Sequence, residues 1–169
     1  MAPRQCRSEE FSDILAIIND AAEAYRGVIP DDCFHTPYMS ADELQRELDA
    51  GVGFWGAEVD RILAGVMGIQ DLGDVALIRH AYVRTDFQNR GLGTGLLRHL
   101  RGVSQKPLLV GTWAASEPAI RFYERHGFKV VPASLIPVLL KRFWSISDRQ
   151  IETSVVLSET DAPLLSDVD

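Results

Sequence analysis

From Gln88 to Leu100 the sequence runs QNRGLGTGLLRHL, with glycines at 91, 93 and 95 interleaved with leucines at 92, 96, 97 and 100 that share one helical face. A helix start leaves its first amides without carbonyl partners, and the positive end of the helix dipole strengthens their pull on an anion. Residues without a Cβ let phosphate oxygens reach that backbone, and Arg90 supplies a nearby positive charge. Each Gly costs about 1 kcal/mol of helix propensity relative to Ala, a loss that makes sense where a ligand must come close. The same glycines would also serve close helix packing or a turn. Two common nucleotide loops are excluded. A Walker loop needs Gly-Lys followed by Ser or Thr, but Gly95 is followed by Leu96, and a dinucleotide fingerprint needs its third Gly where Leu96 stands.

No set of metal ligands is apparent. His35, His99 and His126 have no partner at ligand spacing and read as surface or packing residues, and Cys6 and Cys33 read as ordinary reduced thiols.

The elements that must carry the glycine segment are well punctuated. Phe11, Ile14, Leu15, Ile18, Ala21, Ala22 and Tyr25 recur at helical steps and are closed by Gly27. SADE, Ser40 to Glu43, has the form of a capping box for a second helix through Leu44 and Leu48 that ends near Gly51. FWGAEV and ILAGVMGIQ predict a hairpin turning at Asp60 and Arg61, and Val75 to Val83 predicts another strand. The glycine-opened helix follows, then a buried strand from Pro107 to Trp113. Ser116 stands at an N-cap with Pro118 in the first turn, and Gly127 is a C-terminal stop. Phe128 to Val131 and Ile151 to Leu157 are strand candidates, while Pro137 interrupts the apolar run between them and leaves it unassigned. The pattern is a single mixed α/β domain over residues 1–157, with an acidic, disordered tail over 158–169.

The formal charge of −7 argues against a general nucleic-acid binder, and four of those negatives lie in the tail, leaving −3 for the body. No apolar run has the roughly 20 residues of a membrane span. The N-terminus lacks a signal-peptide pattern, so a cytoplasmic location is expected.

Gln88, Asn89, Arg90, Gly91, Leu92 and Gly93 resemble the signature of the GNAT superfamily of N-acetyltransferases: Gln or Arg, two residues, Gly, any residue, then Gly or Ala. HAYVRTDFQNRG is similar to that family's fourth strand and the loop to its pyrophosphate helix, and AIRFYERHGF is similar to its second hallmark, a helix with Tyr ahead of a Gly-Phe pair. The resemblance implies a mixed sheet whose fourth and fifth strands splay apart around acetyl-CoA. Val83 would then pair with the pantetheine arm through its main chain. The amides of Gln88, Asn89, Arg90, Gly91, Leu92, Gly93 and Thr94 would hold the pyrophosphate.

Tyr123 matches the family tyrosine that protonates the departing thiolate, with a core aromatic as the other reading. Ser116 stands where many relatives have an Asn on the pantetheine arm, and the alternative is a simple helix cap. His80 is the candidate general base, but strand alternation sets it opposite Val83 unless a bulge intervenes. Arg79 would share the face of Val83, and packing is the competing reading for His80. Tyr25, the loop GVIPDDCFHTPYM and the acidic Asp31, Asp32, Asp71 and Asp74 fall where relatives contact their acceptors, with a solvated charge cluster as the other reading of the acids; Trp113, at the end of the fifth strand, would line the acceptor pocket or simply pack. The implied activity is acetyl transfer from acetyl-CoA to a primary amine, small or peptidic, by direct attack in a ternary complex. The alternative is a non-catalytic acyl-CoA-binding sensor. IETSVVL is a candidate edge strand for a homodimer.

Overall fold

A computed structural model describes residues 2–160. The chain runs β1 (Arg4–Gln5), α1 (Phe11–Ala22), α2 (Ala41–Asp49), β2 (Gly53–Val59), β3 (Ile62–Asp71), β4 (Ala76–Val83) and α3 (Leu92–Val103). It continues through β5 (Leu108–Trp113), α4 (Glu117–Arg125), β6 (Lys129–Val130), α5 (Ile136–Phe143), α6 (Asp148–Glu152) and β7 (Ser154–Ser158).

The strands form one seven-stranded sheet in the order β1-β2-β3-β4-β5-β7-β6. Only the β4–β5 pair is parallel, and its register covers just Ala76–Ile78 against Leu108–Val110. The β2–β3 hairpin turns at Asp60 and Arg61, both at positive φ (51° and 66°), the conformation that matches strand twist in a tight hairpin.

Layers cover both faces. On one, α3 and α4 bury Leu96, Leu97, Leu100 and Tyr123 against Ala76, Ile78 and Val110, with Phe128 alongside. On the other, α1 and α2 bring Ile14, Ile17, Ile18 and Leu44 against Phe54 and Val66, and α5 adds Leu139 and Leu140 against Val156. Each large side chain fully buried this way contributes roughly 1.5–3 kcal/mol of burial free energy. Ser40 caps α2 by accepting the Glu43 amide at 3.1 Å, while the Glu43 carboxylate returns to the Ser40 hydroxyl (3.4 Å).

Three expectations need correction. The unassigned run holds α5, because Pro137 sits in the helix's first turn, where a missing N–H costs nothing. Ile151 and Glu152 belong to α6 and not to the last strand; a capping box of Ser147 and Gln150 opens that helix (3.2 and 3.3 Å). β7 is not the last strand of the sheet, since it pairs with β5 along its length and with β6 at Leu157 and Ser158, so part of the edge expected to join a second copy is already occupied.

Ser158 closes β7, and the Glu159 carboxylate accepts the Leu108 amide (3.0 Å) and faces Arg101 (3.4 Å). The remainder of the expected disordered tail, from residue 161 onward, lies outside the described residues. Among the described residues no helix is long and apolar enough to cross a membrane.

Candidate functional site

The mouth of α3 is a turn of backbone donors. Asn89 and Gly91 both take positive φ (62° and 80°), and Gly91 is the N-cap. The helix begins at Leu92, and the Gly95 amide makes its first recorded bond to the turn, to the Gly91 carbonyl at 3.0 Å. The amides of Leu92, Gly93 and Thr94 therefore have no intrahelical partner. A Cβ at Gly91 or Gly95 would meet nothing within 4 Å, and one at Gly93 would touch the Phe122 ring at an ordinary 3.5 Å. Close packing thus does not account for Gly91 or Gly95; the turn accounts for Gly91, open space lies in front of Gly95, and Gly93 faces the Phe122 ring of α4. Arg90 stacks on Phe87 (5.1 Å) and donates to the Asp86 carbonyl. Gln88 differs from its neighbours: its amide turns back to Thr85 (3.4 Å), and its side chain donates to the Val83 carbonyl (3.2 Å).

Beyond Ile78 and Val110 the β4–β5 register stops, so the two strands part. Val83 lies opposite Gly65, and the next amide, Arg84, donates to Ala64 at 2.8 Å. That arrangement marks Val83–Gly65 as a pair without mutual hydrogen bonds, which turns the Val83 amide and carbonyl away from β3. On the same side of the sheet, Tyr123 is buried edge-on against Phe122 and Phe128 (5.1 and 5.6 Å). Burial above all, and the nearby Tyr25 hydroxyl to a lesser degree, push its hydroxyl above the ordinary phenol range, so it keeps its proton. Ser116 is buried at the N-cap of α4, yet its hydroxyl makes no cap bond; its amide instead donates to Trp113 (3.0 Å).

A β-bulge answers the question of faces. Arg79 opposes Gly68 and Tyr82 opposes Val66, so Met67 faces two residues, His80 and Ala81, and His80 takes φ +53°. The extra residue corrects the expectation that Arg79 shares the face of Val83. Arg79, His80 and Tyr82 all border a cleft on the α1–α2 side, whereas Ala81 packs against the α3 side and Val83 lies by Gly65 and Leu96.

His80 stacks on Phe54 (6.1 Å, 25°) and turns Nε2 towards Glu47 Oε1 at 3.4 Å, out of line for a hydrogen bond. Arg79 donates to Glu47 Oε1 (3.0 Å) and to Gln70 Oε1 (3.1 Å), and Gln70 in turn donates to the Ala50 carbonyl (3.0 Å). Burial alone would raise the Glu47 pKa, but His80, Arg79 and Arg46 together hold it below the usual carboxylate range.

The cleft has a volume of about 670 Å³ and reaches both parted strands, through His80 and Tyr82 on β4 and Thr112 and Trp113 on β5. Trp113 Nε1 donates to the Tyr38 hydroxyl (2.8 Å), and burial pushes Tyr38 up to about 12. Tyr25 packs on Tyr38 and Tyr82 (5.5 and 6.3 Å). The acids expected near an acceptor are elsewhere: Asp32 pairs with Arg149 (2.8 Å), Asp71 with Lys106 and Asp74 with Arg142 (3.8 Å), and neither they nor Asp31 line the cleft. Their place is taken by Glu47, which sequence reasoning missed along with Gln70 and Tyr82, whereas Tyr38 comes from the loop expected to meet the acceptor; the only local signal for Glu47 was its position beside the Leu44–Leu48 face of α2. His99 packs on Trp55 (4.6 Å), and His126 Nδ1 contacts the Phe122 carbonyl (2.7 Å).

Comparison with known proteins meets this geometry on the same residues. Residues 50–130 match the family model of the acetyltransferase (GNAT) domain. The probable N-acetyltransferase camello of Xenopus laevis is 28% identical over 101 residues, which make up 56% of this chain and 46% of that relative, so the chain spans about half the length of the curated relative it matches. Two crystal structures share the fold at 14% identity. The PaiA N-acetyltransferase of Thermoplasma acidophilum in complex with coenzyme A has a TM-score of 0.68, with 95% of this chain and 99% of that one covered. A GNAT-family acetyltransferase of Staphylococcus aureus Mu50 has a TM-score of 0.67, with 94% and 98% covered. The parted parallel strands, the glycine-opened helix and the Tyr123 helix all fall inside the matched segment, so residues 50–130 carry the acetyltransferase (GNAT) domain.

Proposed function

We propose that this chain is an N-acetyltransferase that moves an acetyl group from acetyl-CoA to a primary amine by direct attack within a ternary complex. The observation that carries the reading is the parting of β4 and β5 after Ile78 and Val110, which opens the sheet between the α3 mouth on one face and the cleft on the other.

The residues fit the cofactor. Gly91 and Gly95 leave room that a Cβ would fill, and the free amides at the start of α3 suit a diphosphate. Asn89, Arg90, Gly91, Leu92, Gly93 and Thr94 would hold the phosphates, and Val83 would take the pantetheine arm once the Gln88 side chain releases its carbonyl. Ser116, with no cap bond of its own, is free to serve that arm.

When bound, acetyl-CoA supplies a thioester carbonyl: a C–N bond forms, the C–S bond breaks, one proton leaves the amine and one joins the sulfur. Alkylamines are mostly protonated at neutral pH, so a base must act first. The Glu47–His80 pair on the cleft wall is the acceptor for that proton, with His80 brought there by the bulge. Tyr123, held protonated by burial, donates to the sulfur as charge develops there. Main-chain donors of β4 beyond Ile78 stabilise the carbonyl oxygen.

The test is release of free thiol from acetyl-CoA in the presence of a panel of amines. The expected result is one acetylated amine per thiol, with Tyr123→Phe lowering kcat about 10- to 100-fold while CoA affinity holds. Tight CoA binding with no thiol released on any amine would replace this reading with that of an acyl-CoA sensor.

A further inference from the structure

We infer that the acceptor is a zwitterion, an α-amino acid with a large apolar side chain, whose carboxylate is bound by Arg79 and whose ammonium is bound by Glu47. The inference rests on the acetyltransferase reading and names the substrate class of the same cleft.

It starts from unspent hydrogen-bonding capacity on one wall. Arg79 carries five N–H donors, and two are used, one by Gln70 Oε1 and one by Glu47 Oε1. Glu47 accepts through Oε1, and among the described residues Oε2 has no hydrogen-bond partner. Both side chains are largely removed from solvent, 14% and 21% exposed, yet both line the cleft. A buried ion pair pays a desolvation penalty that an apolar pair would not, and is therefore weak as a purely structural device. Here it presents opposite unsatisfied groups side by side to an open volume.

The spacing selects the ligand. Arg79 and Glu47 touch at 3.0 Å, so their free groups are neighbours. In an α-amino acid the ammonium and carboxylate hang from one carbon, and the molecule can set each against its opposite. The wall pair is close to neutral, which favours a neutral zwitterion over a polyamine or an acidic peptide. An amine lacking the carboxylate would cover the remaining Arg79 donors without pairing them, and buried donors left unpaired cost about 1–3 kcal/mol. Sites built around such a hydrogen bond discriminate far more strongly than apolar pockets do.

The rest of the cleft supplies a place for the side chain. Trp144 lies flat enough on β5 that a Cβ at Gly111 would come within 3.2 Å of its ring, and Leu72, Phe143 and Ile146 extend that apolar surface. An acceptor held by Arg79 and Glu47 on the cleft wall has this surface for its remaining bulk, while the parted strands give its nitrogen access to the thioester.

The experiment compares L-phenylalanine with phenethylamine and L-phenylalaninamide, which keep the amine and ring but lose the carboxylate, in the thiol-release assay. The expected preference in kcat/KM for phenylalanine over phenethylamine is about 100-fold or more. Arg79→Gln and Arg79→Lys should reduce that ratio to under about fivefold, chiefly through KM for phenylalanine, with unchanged CoA binding by calorimetry establishing that both variants are folded. Equal turnover of phenylalanine and phenethylamine by the native protein would overturn the inference and leave the acetyltransferase reading standing. So would Arg79 variants that lose activity on both equally. Absence of thiol release with every amine would overturn that reading and the inference together.

Discussion

The two faces of the sheet present different kinds of binding group. The α3 face offers main chain: amides at a helix start, a strand edge at Val83, and glycines that keep side chains out of the way. The cleft face offers side chains gathered from α2, from β3 through Gln70, from the β4 bulge, from β5 and from the segment after α5. A backbone site is encoded within one short stretch, because helix start, turn and glycine are all local decisions. A side-chain site exists only once distant segments have packed, so its composition can vary while the frame stays the same.

Gly91→Val is the harshest way to break that contrast. A β-branched residue at φ +80° is strained by about 1–2 kcal/mol, and its side chain would stand where a diphosphate must approach. CoA affinity should fall about 100-fold or more by calorimetry, while far-UV circular dichroism and thermal unfolding still report a folded chain. Unchanged affinity would mean that the α3 mouth is a turn and nothing more. Glu47→Gln probes the opposite face and should act on the opposite quantity: kcat/KM for the amine lower by about 10- to 50-fold, CoA affinity within about twofold. Because its neighbours hold Glu47 below the ordinary carboxylate range, the proposed Glu47-dependent activity of the native protein should persist into mildly acid solution and be lost only as pH falls through that depressed value. A loss of CoA affinity in Glu47→Gln would show that the faces are not separable.

The same contrast explains what the sequence disclosed. The glycine segment, the Asp60–Arg61 turn, the Ser40 cap and the Tyr123 helix were legible because each depends on neighbours within about one helical turn. The bulge at His80 was not: nothing in IRHAYV marks the extra residue, which is defined by the register against Gly68 and Val66 across the sheet. Its consequence, Arg79 and His80 on one face, reversed the assignment that alternation gave Arg79. Glu47 was invisible for a related reason, since a glutamate beside a buried helical stripe is ordinary until Arg79 is seen to meet it from another element. α6 was legible in part, because Ser147 and Gln150 spell a capping box just ahead of Ile151, where the run of β-branched residues points to strand.

A charged cluster at the β1–β2 edge of the sheet, away from both candidate sites, gives the smallest effect and a control for the other two. Glu10 accepts from Arg4 at 2.6 and 3.0 Å and from the Arg7 amide at 2.7 Å, and Arg4 also meets Glu58, so the cluster pins β1 against the start of α1. The Arg4 bond outweighs the opposing effect of burial and, with the Arg7 amide, holds Glu10 at a pKa of about 2, against an ordinary 4.5. A folded-state value below the unfolded one stabilises the fold at all pH above the ordinary value, and that contribution is lost as pH falls from there through the folded value. Arg4 is 32% exposed, so solvent screening discounts the pair, and Glu10→Gln should cost about 1–2 kcal/mol at pH 7. The gap in denaturant midpoint between native and variant should shrink steadily as pH is lowered from 4.5 towards 2, because protonated Glu10 is little different from Gln. A gap that stays constant across that range would mean that Glu10 acts through shape and not charge. CoA affinity and amine kinetics should not respond to Glu10→Gln, so a response in either would tie this cluster to a site that it does not line.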